Sequence, residues 1–123
     1  MYYTSYFANI KNIDGNKYRL AAITYKKPSF CDAEILDWSF LGPSAKILND
    51  YKKSLLNEEN YTTLYNNQLR IIWPQISAFM RENEYNNVVL LCYEKPPKFC
   101  HRHLLAEFLR AHGIACEELP YGF

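Results

Sequence analysis

The chain is short of the features by which many functions declare themselves. Glycine and proline are sparse, 4 and 6 in 123 residues. There is no glycine-rich phosphate loop, no Gly-x-Ser-x-Gly elbow and no pair of metal-binding carboxylates, which excludes the P-loop, hydrolase-elbow and two-metal readings. Charge of one sign is also missing. A formal net charge of +1 gives no global footprint for nucleic acid or anionic lipid, so such binding would need a local patch. Nowhere do about 18 apolar residues run together, so no membrane-spanning helix is expected. The opening MYYTSYFANIK lacks the basic and apolar regions of a signal peptide. Cys31, Cys92, Cys100 and Cys116 are therefore expected to be reduced thiols of a cytoplasmic protein, not a disulfide framework.

What is present is apolar surface. Hydrophobic residues make up 49% of the chain, eleven of them tyrosines, enough for one compact domain over residues 1–123 and too few for two. Residues 2–10 are aromatic and β-branched and read as a first strand. The turn signal Asp14-Gly15-Asn16 precedes a second strand over residues 18–25. Composition leaves the relative direction of these two strands open. Residues 26–38, with Pro28 and no sustained period, read as a long loop. Gly42-Pro43-Ser44 opens a helix to Lys53. Asn57 followed by Glu58 and Glu59 reads as the cap and dipole-matched first turn of a longer helix ending near Asn83. Pro74 lies inside that pattern and predicts a kink or break near Trp73.

The last third is strand, helix, strand. Residues 88–92 (VVLLC) have the length and β-branched content of a buried parallel strand. A proline-bearing loop over residues 93–99 leads to a helix opening with Cys100, His101 and Arg102. Gly113 stops it, and residues 114–119 return as a strand. Such units are parallel and right-handed in nearly all cases. The expected fold is α/β, Rossmann-like and three-layered, with a small, largely parallel sheet, flanking helices and a C-terminal β-α-β unit.

The Cys-His-Arg turn sits where open α/β sheets place ligand crevices, on a helix N-terminus that attracts anions. Helical winding puts His101 in line with Leu105 and Leu109, facing the sheet, and His103 with Glu107 and Arg110 on the solvated side. Leu104, Leu105, Phe108 and Leu109 form the buried arc. Two readings of each site residue stand side by side. His101 is either a proton-transfer group or a buried imidazole bonded to a carbonyl. Cys100 is either a thiolate stabilised by the helix terminus and Arg102 or a small apolar filler. Arg102 either clamps a phosphate or carboxylate or pairs with Glu94.

The segment LLCYEKPPKFCHRHLLAEFL resembles the Cys-x-Glu, short loop, Cys-His-Arg, Leu-Ala signature of domain-of-unknown-function family 488. The likeness extends over most of the chain, through TSYFANI, AAITYKKPSF and LGPSAKIL. It implies an α/β fold with a site at the carboxyl end of the sheet, and it carries Cys92, Glu94, Cys100, His101 and Arg102 over as the matching positions. It implies no particular reaction. Many relatives resemble Asp-x-Arg-x-x-Pro after the second strand, whereas Ile23 and Tyr25 stand ahead of Pro28 here. A carboxylate and a guanidinium are thus missing from the expected rim.

Other constellations are weaker. Zinc on Cys92, Cys100, His101 and His103 is disfavoured, because helical geometry sends the two histidines to opposite faces. Cys92 with Cys100 could form a labile disulfide or resolving pair, a question their separation decides. Lys26-Lys27, Lys52-Lys53, Lys95 and Lys98 interleave with Tyr25, Phe30, Tyr51, Tyr93 and Phe99, a pattern suited to stacking bases. The expected function is binding of an anionic or nucleotide-like ligand by Arg102, Lys98, Cys92 and Tyr25. Cys100 would be the nucleophile and His101 or Glu94 the proton-transfer partner. The alternatives are a non-catalytic binding or adaptor module, in which these residues brace the loop, and a nucleic-acid binding module. The motifs name no cofactor and no metal.

Overall fold

A computed structural model of the chain describes residues 1–24, 34–84, 86–93 and 99–119. Five strands form one all-parallel sheet: β1 (Tyr2–Tyr6), β2 (Arg19–Ala22), β3 (Ile35–Asp37), β4 (Val88–Cys92) and β5 (Cys116–Glu118), in the order β3-β2-β4-β1-β5. β4 is central, and every one of its side chains is buried. Val88, Leu90 and Cys92 face one core and Val89 and Leu91 the other, which is why this strand reads as an unbroken apolar run.

The direction of each step across the sheet fixes the layers. β3 to β4 and β4 to β5 both step towards the β5 edge, so right-handed crossovers put their helices on the same face. Accordingly α1 (Ala45–Lys52), α2 (Glu58–Ile71), α3 (Trp73–Glu82) and α4 (His101–Ala111) pack one core, through Ile47, Tyr65, Ile76, Leu105 and Leu109 among others. β1 to β2 steps the other way. Its connection, a 3₁₀ segment over Phe7–Asn12, covers the opposite face with Phe7, Ile13 and Tyr18. The result is a three-layer α/β fold whose third layer is thin. No helix among the described residues is long and apolar enough to cross a membrane.

Local signals account for the boundaries. The Ser44 side chain accepts from the Ile47 N–H and that of Asn57 from the Asn60 N–H, capping α1 and α2. Pro74 in the first turn of α3 breaks the long helical pattern at Ile72. Gly113 takes φ +84° after α4, where a side chain would be strained. Three expectations need correction. β1 ends at Tyr6, not Ile10, because its neighbour β4 ends opposite at Cys92 and the next residues turn, with Asn9 donating to Ser5 Oγ. β2 begins at Arg19, where pairing with Val88 begins. The stretch expected as loop up to Trp38 contains β3, three residues held by pairing with β2. Pro28 and Cys31 lie outside the described residues.

Candidate functional site

β4 delivers Cys92 to the carboxyl edge of the sheet, and Cys100 is the N-cap of α4, extended at φ −152°, ψ 143°. The two side chains meet. Their sulfurs are bonded, with Cα atoms 7.4 Å apart. Two of the cysteines expected to be reduced thiols are thus a contacting pair, at a Cα separation beyond the usual disulfide span of about 4.4–6.8 Å. The carboxyl end of β4 and the N-cap of α4 lie side by side, which brings the two sulfurs into contact. Cys116 is a free thiol, buried within β5, and burial pushes its pKa up to about 12.

His101 points inward, as its alignment with Leu105 and Leu109 requires. Its Nε2 lies 3.0 Å from the Ile23 carbonyl oxygen at the end of β2. A carbonyl only accepts, so Nε2 carries the proton and Nδ1 the lone pair. Burial pushes the imidazole down to about 4, and the neighbouring Arg102 charge adds to the shift, against the bond to Ile23. His101 is neutral near pH 7 and ties the first turn of α4 to β2. The Tyr65 ring meets it edge-on at 6.0 Å between centroids. Gly42 crowds the same carbonyl from the other side: a Cβ there would collide with the Ile23 oxygen.

Arg102 is fully buried and turns away from the loop mouth. Nε and Nη2 donate to the two carboxylate oxygens of Glu118 on β5, at 3.0 and 2.9 Å. Nη1 lies 3.1 Å from Cys92 Sγ. The guanidinium also lies over the Tyr6 ring, 5.7 Å from its centroid. Glu118 in turn accepts from the Thr4 hydroxyl on β1. The fork expected to clamp a ligand is thus engaged by a carboxylate of the protein itself. Of the other expected site residues, Tyr25, Glu94 and Lys98 lie outside the described residues. His103 is half-buried instead of exposed, and Leu104 is only partly covered. Glu107 and Arg110 are exposed and Leu105, Phe108 and Leu109 buried, as the helical arc requires. Burial and the Arg102 charge hold the His103 pKa below its ordinary value.

A depression of about 600 Å³ opens beside this cluster. Cys100 and His101 line it together with Thr24 at the end of β2, Asn49 and Lys52 of α1, and the aromatic side chains Tyr51, Tyr61, Tyr93 and Phe99. Tyr51, Tyr61 and Phe99 contact one another at 5.1–5.6 Å between ring centroids, forming one aromatic wall. Its position follows from the topology. It lies at the carboxyl ends of the neighbouring strands β2 and β4, where open α/β sheets place their ligand crevices.

Comparison with known families now has a structural setting. A family model described as "DUF488-N3a: Active DUF488-N3 subclade" matches residues 15–113. The chain belongs to this DUF488-N3 subclade. No match is found among curated proteins or solved structures. The matched span of this DUF488-N3 protein runs from before β2 to the end of α4 and holds Cys92, Cys100, His101 and Arg102. Thr4 and Glu118, which complete the Arg102 network, lie outside it. Sequence reasoning missed both, along with the Ile23 carbonyl and Gly42. Only the parallel register of β1 with β5, which sets Thr4 opposite Glu118, reveals the pair. Tyr51 and Lys52 were legible as a basic-aromatic pair, but not that α1 brings them beside Cys100.

Proposed function

We propose that this DUF488-N3 protein binds a small anionic, nucleotide-like ligand in the depression at the ends of β2 and β4, and that Cys100 acts on it as a nucleophile. The observation that carries this reading is that Cys100 and His101 line the same cavity as an aromatic wall and Lys52. Its size lies within the about 300–1,000 Å³ of small-molecule sites, and its lining is the usual mixture of aromatic surface and a few polar groups. The wall offers ring faces and edges for a base, and Lys52 offers the counter-charge. The first-turn N–H groups of α4 add a partial positive charge next to Cys100, which also favours its thiolate once reduced. Calorimetric titration of reduced protein with adenosine monophosphate, guanosine monophosphate and inorganic phosphate tests it. Saturable binding is expected, about tenfold weaker in Lys52→Ala. Tyr51→Ala should weaken the nucleotides and spare phosphate. Wild-type protein that binds none of the three overturns the reading.

A non-catalytic module is the second reading, and one observation favours it. His101 and Arg102 are engaged by Ile23 and Glu118, as braces would be. Binding by Cys100→Ser equal to wild type, with no ligand converted by the wild type, would select the module.

A further inference from the structure

We infer that Cys92 and Cys100 form a dithiol–disulfide couple that exchanges with low-molecular-weight disulfides, Cys100 attacking and Cys92 resolving. Three features of the described residues carry this division of labour. The two sulfurs meet between the end of β4 and the N-cap of α4, so no rearrangement of chain topology is needed to join them. Their access differs: Cys100 lines the depression, whereas Cys92 is 0% exposed at the end of a strand covered on both faces. Their electrostatic settings differ too. The Arg102 guanidinium, itself 0% exposed, directs Nη1 at Cys92 Sγ from 3.1 Å while Glu118 accepts from Nε and Nη2. In the reduced protein that N–H stabilises a Cys92 thiolate where no small molecule reaches it. A charge-stabilised sulfur sealed in the core beside one at the cavity wall, where Cys100 keeps 7% exposure, is the arrangement of a resolving and an attacking thiol.

The steps balance. The Cys100 thiolate attacks one sulfur of a small disulfide RSSR, forming Cys100–S–S–R and expelling RS⁻. The Cys92 thiolate then attacks the Cys100 sulfur, forming the Cys92–Cys100 bond and expelling the second RS⁻. Two protein thiols are oxidised, RSSR is reduced to two RSH, and the two protons leave with them. The Cα separation of 7.4 Å lies beyond the usual disulfide span of about 4.4–6.8 Å, so a relaxed bridge draws the N-cap of α4 towards β4. The bond also removes the thiol that faces the depression, which couples the redox state of the pair to any chemistry of Cys100 there. The exchange itself needs no ligand in the depression and stands apart from the nucleotide reading.

The test uses full-length protein, reduced and desalted, then exposed to glutathione disulfide, acid-quenched and read by intact mass and alkylation mapping. Wild type should lose two hydrogen atoms with little mixed disulfide, and mapping after unfolding should find Cys92 and Cys100 protected while Cys31 and Cys116 alkylate. Cys92→Ser should accumulate a glutathione adduct on Cys100. Cys100→Ser should form neither adduct nor bridge at Cys92. A persistent Cys100 adduct in wild type with Cys92 still reduced, or a bridge that uses Cys31 or Cys116, overturns the inference. The wild-type measurement decides even if a variant fails to fold.

Discussion

Arg102 and Glu118 face each other as a two-pronged pair, Nε and Nη2 on one side and both carboxylate oxygens on the other. The arginine has no exposed surface, while the Glu118 side chain keeps 29% of its own. Removing the acid takes from a buried guanidinium the carboxylate that accepts from two of its nitrogens. Glu118→Gln should cost about 2–3 kcal/mol, below the about 3–5 typical of a fully enclosed pair. Urea midpoints at pH 7 measure it, and a loss under 0.5 kcal/mol would show that Arg102 finds equivalent partners.

Gly42→Ala is expected to destabilise by about 1–3 kcal/mol, the range for overpacking. The added methyl would meet the Ile23 carbonyl oxygen, which is backbone and cannot swing away. Because His101 donates to that same oxygen, the substitution should also disturb the first turn of α4. Amide exchange at residues 101–105 faster than in wild type would show it, whereas an unchanged melting temperature and exchange pattern would refute the contact.

Acid should weaken the fold through His101. Its folded pKa, about 4, lies below the unfolded value of 6.5, so below pH 6.5 the unfolded chain takes up a proton that the folded chain declines. Stability is therefore lost as pH falls from about 6.5 to 4 and levels off beneath, by about 3 kcal/mol at most for this group. His101→Gln should flatten that limb of the stability curve. Parallel acid limbs in wild type and variant would assign the loss to other groups.

Thiol labelling of the reduced, native protein should separate the described cysteines. Cys100, which lines the depression, should react first. Cys116 should stay silent until unfolding, since burial both shields it and holds it protonated to about pH 12. Equal rates for Cys92, Cys100 and Cys116 would contradict the burial pattern.

Much of the fold was legible because its signals are local. The all-apolar β4, the Asn57 cap, the Pro74 break and Gly113 each act within a few residues. β3 was not legible, because three residues carry no period and are strands only by pairing with β2. At the site, helical winding suffices to turn His101 inward, but it cannot say what it meets. The Ile23 carbonyl comes from a strand 78 residues away in sequence. Arg102 read as a ligand clamp for a related reason. Among the described residues its carboxylate partner sits on β5, in register with Thr4 of β1.

The placement of β1 has a consequence for how the molecule comes into being. Tyr2 pairs with Val88 on one side and with Cys116 on the other, so β1 lies between two strands that follow it far along the chain. Until β4 and β5 have been made, β1 has both edges open, and Thr4 waits for the Arg102 and Glu118 that complete its network. The sheet can close only after β5 has been made, and the wait exposes an aromatic strand to mispairing with other chains. Growth temperature and translation rate should therefore govern soluble yield more strongly than the stability of the finished fold.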